Sequence, residues 1–305
     1  MSIAEVEQLN KDFSLEQADH SLVFKKGGGG IPVIEIKNSQ ASARISLQGA
    51  QVLSWVPAGS GEVIWLSEQA KFAPGKSVRG GVPICWPWFG PHENNAAYPG
   101  HGFARTVLWQ VTKTEALASG EIQVTFQLDT RELDETIKPM WPLPTIAEYR
   151  LTIGKILTIE LTTFNHSDQA MTIGQALHTY FKVDDVSETS VQGLDGKPYL
   201  NKTDGFKRKT QSGPVTIGEE VDRVYLQTPD DVTIDDGQRK IIIRKHNSQS
   251  TVIWNPWQEA AEKMGDLGPD GYLKMLCVES ANALEDTVNI GAGDSYTLRV
   301  TYEAV

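Results

Sequence analysis

The chain has 305 residues, of which 40% are hydrophobic, and this is enough apolar material for a large core. Its formal net charge of -11 excludes the long-range attraction that nucleic acid or an anionic membrane requires, so neither is expected as a partner. Cys85 and Cys277 are too few for a disulfide framework and favour two reduced thiols in a cytoplasmic protein, with a single disulfide between them left open. The N-terminus lacks the pattern of a signal peptide, and no segment is long and apolar enough to span a bilayer.

The first 30 residues predict an N-terminal adaptor segment, 1–30, with a short acidic helix over residues 4–11 and a loop behind it. The loop ends in four consecutive glycines, residues 27–30. No G-K-S/T sequence follows these glycines and no long helix begins after them. A flexible turn therefore explains them better than a phosphate-binding loop.

From residue 31 onward, apolar and polar residues alternate with the period of two that is typical of β-strands. This pattern predicts short strands over residues 33–36, 43–47, 52–56, 63–66, 108–114, 122–128, 146–164, 171–183, 221–226, 240–245, 251–254, 272–279 and 296–302. A hairpin turn is indicated at residues 154–155, one or two helical turns within 131–138, and a short helix over 257–264. With few short helices and no composition break, residues 31–305 predict a single all-β domain, a large antiparallel β-sandwich.

Residues 78–105 break the strand pattern with a segment that runs from V-R-G-G-V-P-I-C-W-P-W-F-G-P-H to P-G-H-G-F-A-R. Its glycines and prolines predict an irregular loop, and loops of this kind often carry function. Arg79 and Arg105 are permanently charged forks suited to a phosphate. Three aromatic residues are candidates for stacking on a sugar face: Trp86, Trp88 and Phe89. The alternative is a rim of packed rings with arginines that face solvent.

Two residues far apart in the chain are candidates for proton transfer. His178 lies in A-L-H-T-Y-F, where strand alternation puts its imidazole on the same face as Tyr180. Glu279 ends the apolar run Y-L-K-M-L-C-V-E, where a carboxylate is costly unless it is paired or functional. Together they offer one proton donor and one acceptor without a metal. The structural alternatives are a histidine satisfied by a carbonyl and a strand-end glutamate that points into water.

Two shorter motifs contribute polar and aromatic groups. D-R-V-Y contains Asp222, which either accepts hydrogen bonds from sugar hydroxyls or pairs with Arg223 at the surface. W-N-P-W, at residues 254–257, is either the wall of a pocket or ordinary packing.

Taken together, these motifs resemble those of the glucose-6-phosphate 1-epimerases, or hexose-6-phosphate mutarotases, a branch of the aldose 1-epimerase family. The matching segments occur in the family's order from residue 31 to the C-terminus: R-G-G-V-P-I-C-W-P-W-F-G-P-H, H-G-F-A-R, A-L-H-T-Y-F, D-R-V-Y, W-N-P and C-V-E-S-A. The resemblance implies a galactose mutarotase-like β-sandwich and a cytoplasmic enzyme with no metal or organic cofactor. The implied reaction interconverts the α and β anomers of a hexose 6-phosphate, with D-glucose 6-phosphate as the expected substrate.

The resemblance also implies roles for individual residues. His178 matches the family's general acid and Glu279 its general base. Four residues match substrate-binding positions: Arg79, Arg105, Asp222 and His101. Where some members have a glutamine before this last histidine, the chain has Gly100. We expect the acid and the base to face each other across a cavity about one pyranose wide, with the arginines at its far rim.

Two other functions are open on the residues alone. One is an aldose 1-epimerase that acts on unphosphorylated sugars, which the pair of arginines disfavours. The other is a non-catalytic sugar-phosphate-binding protein, which only the presence of both proton-transfer groups disfavours. No interface segment is evident in the sequence, so a monomer is expected.

Overall fold

The computed structural model describes residues 2–305. Helix α1 (Ile3–Phe13) begins with a capping box, in which Ser2 and Glu5 each accept a hydrogen bond from the other's backbone N–H. The side-chain amide of Asn10 then bonds both the N–H and the C=O of Phe24, at 2.8 Å each. These two bonds fix the helix on the first large sheet.

That sheet has five antiparallel strands in chain order: β1 (Leu15–Glu16), β2 (Ser21–Lys26), β3 (Pro32–Lys37), β4 (Ala41–Ser46) and β5 (Gln51–Pro57). The loop predicted behind the first helix is wrong in part, because β2 alternates and buries Leu22 and Phe24 in the main core. The predicted boundary at residue 30 thus falls between two strands, β2 and β3, that are hydrogen bonded along their whole length.

The remaining strands are β6 (Ile84–Cys85), β7 (Gln110–Ala116), β8 (Ile122–Asp129), β9 (Thr145–Ile153), β10 (Ile156–Asn165), β11 (Met171–Ile173), β12 (Gln175–Leu177), β13 (Tyr180–Lys182), β14 (Ser190–Gln192), β15 (Pro198–Asn201), β16 (Lys207–Thr210), β17 (Val215–Thr216), β18 (Val221–Leu226), β19 (Val232–Asp235), β20 (Lys240–His246), β21 (Ser250–Asn255), β22 (Met275–Asn282), β23 (Val288–Ile290) and β24 (Ser295–Ala304). Helix α2 (Trp257–Lys263) and the hairpin between β9 and β10 confirm two predictions. The strand predicted over residues 63–66 is wrong, because this segment makes only isolated bridges.

Every strand pairing is antiparallel, and the all-β prediction is confirmed. A nine-stranded sheet has the order β17-β14-β19-β20-β24-β10-β9-β8-β7. An eight-stranded sheet has the order β16-β15-β18-β21-β22-β12-β6, with β13 also paired to β22. Strands β11 and β23 form a small separate pair.

The sheets pack face to face around one large core, to which the five-, nine- and eight-stranded sheets each contribute, as with Ile45, Leu161 and Val278. Between the eight- and nine-stranded sheets, the ring of Phe181 meets that of Tyr302 edge-on at 4.9 Å. This core uses one face of β22, and the other face is left for the candidate site. No helix within residues 2–305 is long and apolar enough to cross a membrane.

Candidate active site

Strand register brings His178 and Glu279 together. Strand β22 pairs with β12 through Leu177 and Ser280, and with β13 through Tyr180 and Cys277, in one unbroken register. His178 lies in the gap between β12 and β13, so the same register puts it opposite Glu279. The continuous strand predicted over residues 171–183 is therefore broken where the imidazole leaves the sheet.

The two side chains are in contact, with His178 Nε2 3.3 Å from Glu279 Oε1. Glu279 is 1% exposed and lies inside β22, so the reading of a strand-end glutamate that points into water is wrong. The second nitrogen of the imidazole, Nδ1, and the second oxygen of the carboxylate, Oε2, are buried without a hydrogen-bond partner among residues 2–305. The expectation of a pyranose-wide cavity between the two groups is also wrong, because they lie side by side.

Burial dominates the electrostatics of this pair. It lowers the pKa of His178 well below its ordinary value, and electrostatic interactions with the nearby His101 and Arg105 act in the same direction. Burial also raises the pKa of Glu279 well above its ordinary value, and the neighbouring Asp222 carboxylate adds to this effect. Desolvation thus favours a neutral imidazole beside a protonated carboxyl group, with one proton held by the pair.

Aromatic rings hold the imidazole of His178 in place. Tyr180 stacks on it with ring centroids 5.0 Å apart and a 14° interplanar angle, and Trp254 meets it edge-on at 5.9 Å. Tyr180 stacks in turn on Trp65 at 5.9 Å. The prediction that His178 and Tyr180 project into the same space is confirmed, and W-N-P-W contributes one ring to the site.

Arg79 lies beside these rings but is already engaged. Its Nε donates to Asp266 Oδ1 at 3.0 Å and its Nη1 donates to the Tyr180 hydroxyl at 3.1 Å. Both members of the ion pair are about a quarter exposed, at 26% for Arg79 and 25% for Asp266. The guanidinium is thus fixed in orientation, and its charge is largely compensated.

Arg105 differs from Arg79 in this respect. It follows the H-G-F motif on a 3₁₀ turn (Ala104–Thr106), and its Nη2 donates to the Gly100 carbonyl at 2.9 Å. It has no carboxylate partner within the described residues. Its charge nevertheless acts on the pKa of both His178 and Glu279, which puts it within electrostatic reach of the pair.

Asp222 pairs with a lysine that the sequence analysis did not single out. Its Oδ2 lies 2.7 Å from Lys202 Nζ, whereas its Oδ1 is buried without a partner among residues 2–305. Burial raises the pKa of Asp222, and the Lys202 ammonium opposes that effect. The surface pair with Arg223 does not form, because Arg223 lies over the ring of Tyr199, 5.1 Å from its centroid.

His101 is held as a neutral ring. Burial lowers its pKa to about 3, and the charges of Arg105 and Lys202 act in the same direction. Its Nδ1 accepts a hydrogen bond from the Gly90 N–H at 3.3 Å, so the neutral tautomer carries its proton on Nε2 and can donate there. The glycine of H-G-F is required sterically, because a Cβ on Gly102 would lie 1.9 Å from a backbone oxygen.

Only part of the predicted aromatic wall is near the site. Trp86 is fully buried and donates from Nε1 to Thr163 Oγ1 at 3.0 Å, so it belongs to the core, and its expected role in a pocket is wrong. Phe89 meets His101 edge-on, with centroids 4.8 Å apart, and lies next to the candidate site. Trp88 is half-buried and donates to the Pro99 carbonyl. The prediction of a largely irregular loop is confirmed.

Two further residues of the site, Lys202 and Asp266, are not marked by any motif in the sequence. Lys202 follows P-Y-L-N, whose weak alternation is the only local signal for strand β15. Asp266 lies in G-D-L-G-P-D-G, which reads as a turn and nothing more. Each lies near its partner only through the folding of distant segments, so no local pattern identifies it.

A separate open cleft of about 1080 Å³ lies outside the candidate site. Its lining contains charges of both signs, including Lys182, Asp184 and Arg239, and it contains neither His178 nor Glu279. Trp65 lines this cleft and is separated from His178 by the stacked ring of Tyr180. The cleft therefore does not reach the proton-transfer pair directly.

Comparison with known proteins places both the fold and the sequence. The family model for aldose 1-epimerase matches residues 32–303. A protein of Escherichia coli K12 with the provisional name glucose-6-phosphate 1-epimerase is 39% identical over 260 residues, 84% of each chain. A similarly named protein of Cenchrus ciliaris is 35% identical over 272 residues, 86% of this chain and 81% of its own.

Solved structures agree with this placement. The crystal structure of a provisionally named mutarotase from Salmonella typhimurium superposes with a TM-score of 0.85 at 31% identity, over 98% of this chain and 99% of that one. A galactose mutarotase-like protein from Lactobacillus casei has a TM-score of 0.70 at 16% identity, over 90% of this chain and 100% of its own, and shows the fold alone. The fold is therefore the galactose mutarotase-like β-sandwich. The chain belongs to the aldose 1-epimerase family and is an epimerase with a sugar substrate.

Proposed function

We propose that this protein interconverts the α and β anomers of a hexose 6-phosphate, with D-glucose 6-phosphate as the principal substrate. The observation that carries the proposal is the buried contact of 3.3 Å between His178 and Glu279, in which each group keeps one polar atom without a partner. Burying such an atom costs about 1–3 kcal/mol, and a ligand that bonds it removes that cost. The names of the relatives support the phosphorylated substrate.

The side-by-side arrangement suits the reaction. Ring opening removes a proton from the C1 hydroxyl, O1, and adds one to the ring oxygen, O5. Both oxygens are bonded to C1, so the group that takes one proton and the group that gives the other must also be neighbours. A donor and an acceptor on opposite walls of a pyranose-wide cavity are not needed.

In the proposed ring opening, the Glu279 carboxylate takes the proton from O1 while the His178 imidazolium gives a proton to O5. The bond between C1 and O5 breaks, its electron pair goes to O5, and the electron pair freed on O1 forms the C1 to O1 double bond. Glu279 is then a carboxylic acid and His178 is neutral. Glu279 has gained one proton and His178 has lost one, so the number of protons bound to the pair does not change.

Closure on the other face completes the exchange of anomers. Rotation about the bond between C1 and C2 presents the opposite face of the aldehyde to O5. As O5 attacks C1, His178 takes the O5 proton and Glu279 returns a proton to O1. The enzyme regains its starting state, and no group outside the pair has to change its protonation.

The buried surroundings support this sequence of states. Burial favours the neutral imidazole and the protonated carboxyl group, which is the state of the pair while the sugar is open. The ionised pair that starts ring opening forms from this neutral pair by transfer of one proton within the 3.3 Å contact. Because its charges are neutralised as the bond between C1 and O5 breaks, the buried surroundings favour the transition state over the ionised starting state.

The phosphate is assigned to the two arginines, with unequal parts. Among residues 2–305, Arg105 has no carboxylate partner, so it can give its full charge to a phosphate. Arg79 already donates to Asp266 and to Tyr180, so it offers mainly its remaining N–H groups and a fixed position. We assign Arg105 the larger part of the phosphate binding.

Sugar hydroxyls are assigned to Asp222 and His101. The unpartnered Oδ1 of Asp222 can accept from a hydroxyl, and the Nε2–H of neutral His101 can donate to one. The free thiols of Cys85 and Cys277 suit a reducing compartment, so we place the reaction in the cytoplasm. The monomeric state and the division into residues 1–30 and 31–305 stay predictions.

The decisive experiment measures anomer exchange by NMR for glucose 6-phosphate and for glucose, in the wild type and in Arg105→Met. We expect the wild type to prefer the phosphorylated sugar in kcat/KM. Because a charge-assisted bond to phosphate is lost, Arg105→Met should lower kcat/KM for glucose 6-phosphate about 10²-fold and change that for glucose less than about threefold. Arg79→Met should lower kcat/KM for both sugars. The hydroxyl of Tyr180, which stacks on His178, loses the hydrogen bond that Arg79 donates.

Arg299→Met provides the matched control. Arg299 is a surface residue of β24 whose Nε is 3.8 Å from Glu160, and its loss should leave both rates unchanged. Equal kcat/KM for the two sugars in the wild type would replace the proposal with an aldose 1-epimerase of unphosphorylated sugars. Binding of glucose 6-phosphate without any exchange would replace it with a non-catalytic binding protein.

A further inference from the structure

Lys202 is placed in the candidate site by strand register. Strands β15 and β18 pair through Asn201 and Arg223, and one step further along the same register puts Lys202 opposite Asp222. The ammonium lies 2.7 Å from Asp222 Oδ2, with side-chain exposures of 27% for the lysine and 20% for the aspartate. The contact is therefore a product of the sheet and not a chance meeting of two flexible surface chains.

The two oxygens of the Asp222 carboxylate have different surroundings. Its Oδ2 is occupied by Lys202, and its Oδ1 is buried with no partner among residues 2–305. Asp222 pairs across the sheet with Trp254, whose ring meets His178 edge-on, so the carboxylate is on the face that carries the proton-transfer pair. The carboxylate also acts on the pKa of Glu279, which puts it within electrostatic reach of the pair.

The partly compensated charge argues against phosphate as the direct ligand of Lys202. A phosphate dianion brought to this ammonium would also approach the Asp222 carboxylate, and like charges at that distance repel. A neutral sugar hydroxyl carries no such penalty and can donate to the free Oδ1. Arg105, which forms no ion pair with a carboxylate in the described part of the chain, is the better site for the anion.

We propose that Lys202 is a positioning residue for sugar binding: by occupying Oδ2 of Asp222, it keeps the carboxylate charged and turned so that Oδ1 accepts from a ring hydroxyl. The inference rests on the proposed function, because it requires a sugar in this site. Without the ammonium, burial would favour protonation of Asp222, which would then be a poorer acceptor.

The test measures binding without turnover. The ligands are 1,5-anhydroglucitol 6-phosphate and 1,5-anhydroglucitol, which lack the C1 hydroxyl and cannot open, and the readout is calorimetric Kd. Lys202→Met should weaken binding of both ligands about tenfold, because both lose the same hydroxyl contact. Lys202→Arg should restore most of the affinity, and Lys202→Met in an Asp222→Asn background should have no further effect.

Anomer exchange separates this inference from the proposed function. For Lys202→Met we expect KM to rise about tenfold while kcat changes less than about threefold, because Lys202 does not touch the reacting oxygens. A loss of affinity confined to the phosphorylated ligand would show that Lys202 binds phosphate, and unchanged affinity for both would show that it is only structural. Either result overturns the inference and leaves the proposed function intact, whereas wild-type binding without exchange rejects the proposed function alone.

Discussion

Two regions of this molecule bury ionisable groups, and they treat them in opposite ways. Lys245, on β20, is 6% exposed, and its Nζ donates to Thr228 Oγ1, the Ser250 carbonyl and Thr251 Oγ1 at 3.2, 2.7 and 2.8 Å. Glu279 is 1% exposed and the His178 side chain 13%, yet each has a buried polar atom with no partner within residues 2–305. The lysine has used all three of its donors, whereas the pair is incomplete.

The difference separates a structural buried charge from a chemical one. An ammonium with three acceptors needs nothing from outside the protein, so Lys245 is complete once the chain has folded. Glu279 and His178 are in contact, and the unpartnered polar atom of each lowers the stability of the folded protein. A bound molecule that bonds these atoms can offset that loss. The contrast indicates that His178 and Glu279 take part in catalysis and that Lys245 has a structural role. Mutations can test both assignments.

The largest expected loss of activity follows from substitution of Glu279. Glu279→Gln keeps the shape of the side chain but cannot take the O1 proton, so kcat for anomer exchange should fall about 10³-fold. NMR exchange spectroscopy measures the rate, and a thermal melt by circular dichroism checks that the variant is folded. An amide variant that kept the wild-type rate would remove Glu279 from the mechanism.

The pH profile of kcat/KM tests whether His178 and Glu279 share one proton. The pair holds one proton between the lowered pKa of His178 and the raised pKa of Glu279, so activity should be flat across neutral pH. The acid limb, where a second proton binds, should lie below the ordinary histidine value of about 6.5, and the basic limb above the ordinary glutamate value. Burial sets these limits, and interactions with Arg79, Arg105, His101, Asp222 and Lys202 modify them. An acid limb centred at about 6.5, or a basic limb near the ordinary glutamate value, would contradict this assignment.

The smallest effect on activity is expected at Lys245. Lys245→Met should leave kcat/KM within about twofold, because no bond of the lysine reaches the pair. Its three acceptors keep other donors: the two threonine hydroxyls bond each other at 2.9 Å, and the Ser250 carbonyl accepts from the Ser248 hydroxyl at 3.1 Å. A loss of activity without a loss of fold would show that the contrast is wrong.

Lys245 also makes a signed prediction for stability. Burial lowers the pKa of Lys245 to about 7 from its ordinary value of 10.5, so the unfolded chain binds more protons than the folded one between these two values. Wild-type stability should therefore rise with pH across that window through this group. Urea unfolding of Lys245→Met should lack this contribution, so the variant's stability relative to wild type should fall as pH increases from 7 to 10.

The sandwich was predictable because its evidence is local. Strands such as β8 alternate clearly, and the hairpin of β9 and β10 is marked by a Gly-Lys turn. Strand β2 alternates as well, in S-L-V-F-K-K, but was not predicted. Strands of two to four residues, such as β14 and β17, are too short for any period to be visible.

The candidate site was predictable in its residues but not in its geometry. The composition of the motifs pointed to His178 and Glu279, yet their contact depends on the register of two strands with β22. Lys202 and Asp266 could not be identified, because the residues they pair with lie 20 and 187 positions away in the sequence. Charge pairing over such separations is a property of the folded sheet.

The gap between β12 and β13 has a consequence for redesign. Because the register is the same on both sides of it, the spacing of acid and base is inherited from the backbone ladder, and the N–H of His178 is also fixed by the Pro83 carbonyl at 2.9 Å. The turn that follows Lys202 lies outside that ladder, so it can be exchanged or lengthened without moving the proton-transfer groups. New sugar preferences should be obtainable by grafting loops onto an unchanged reaction centre.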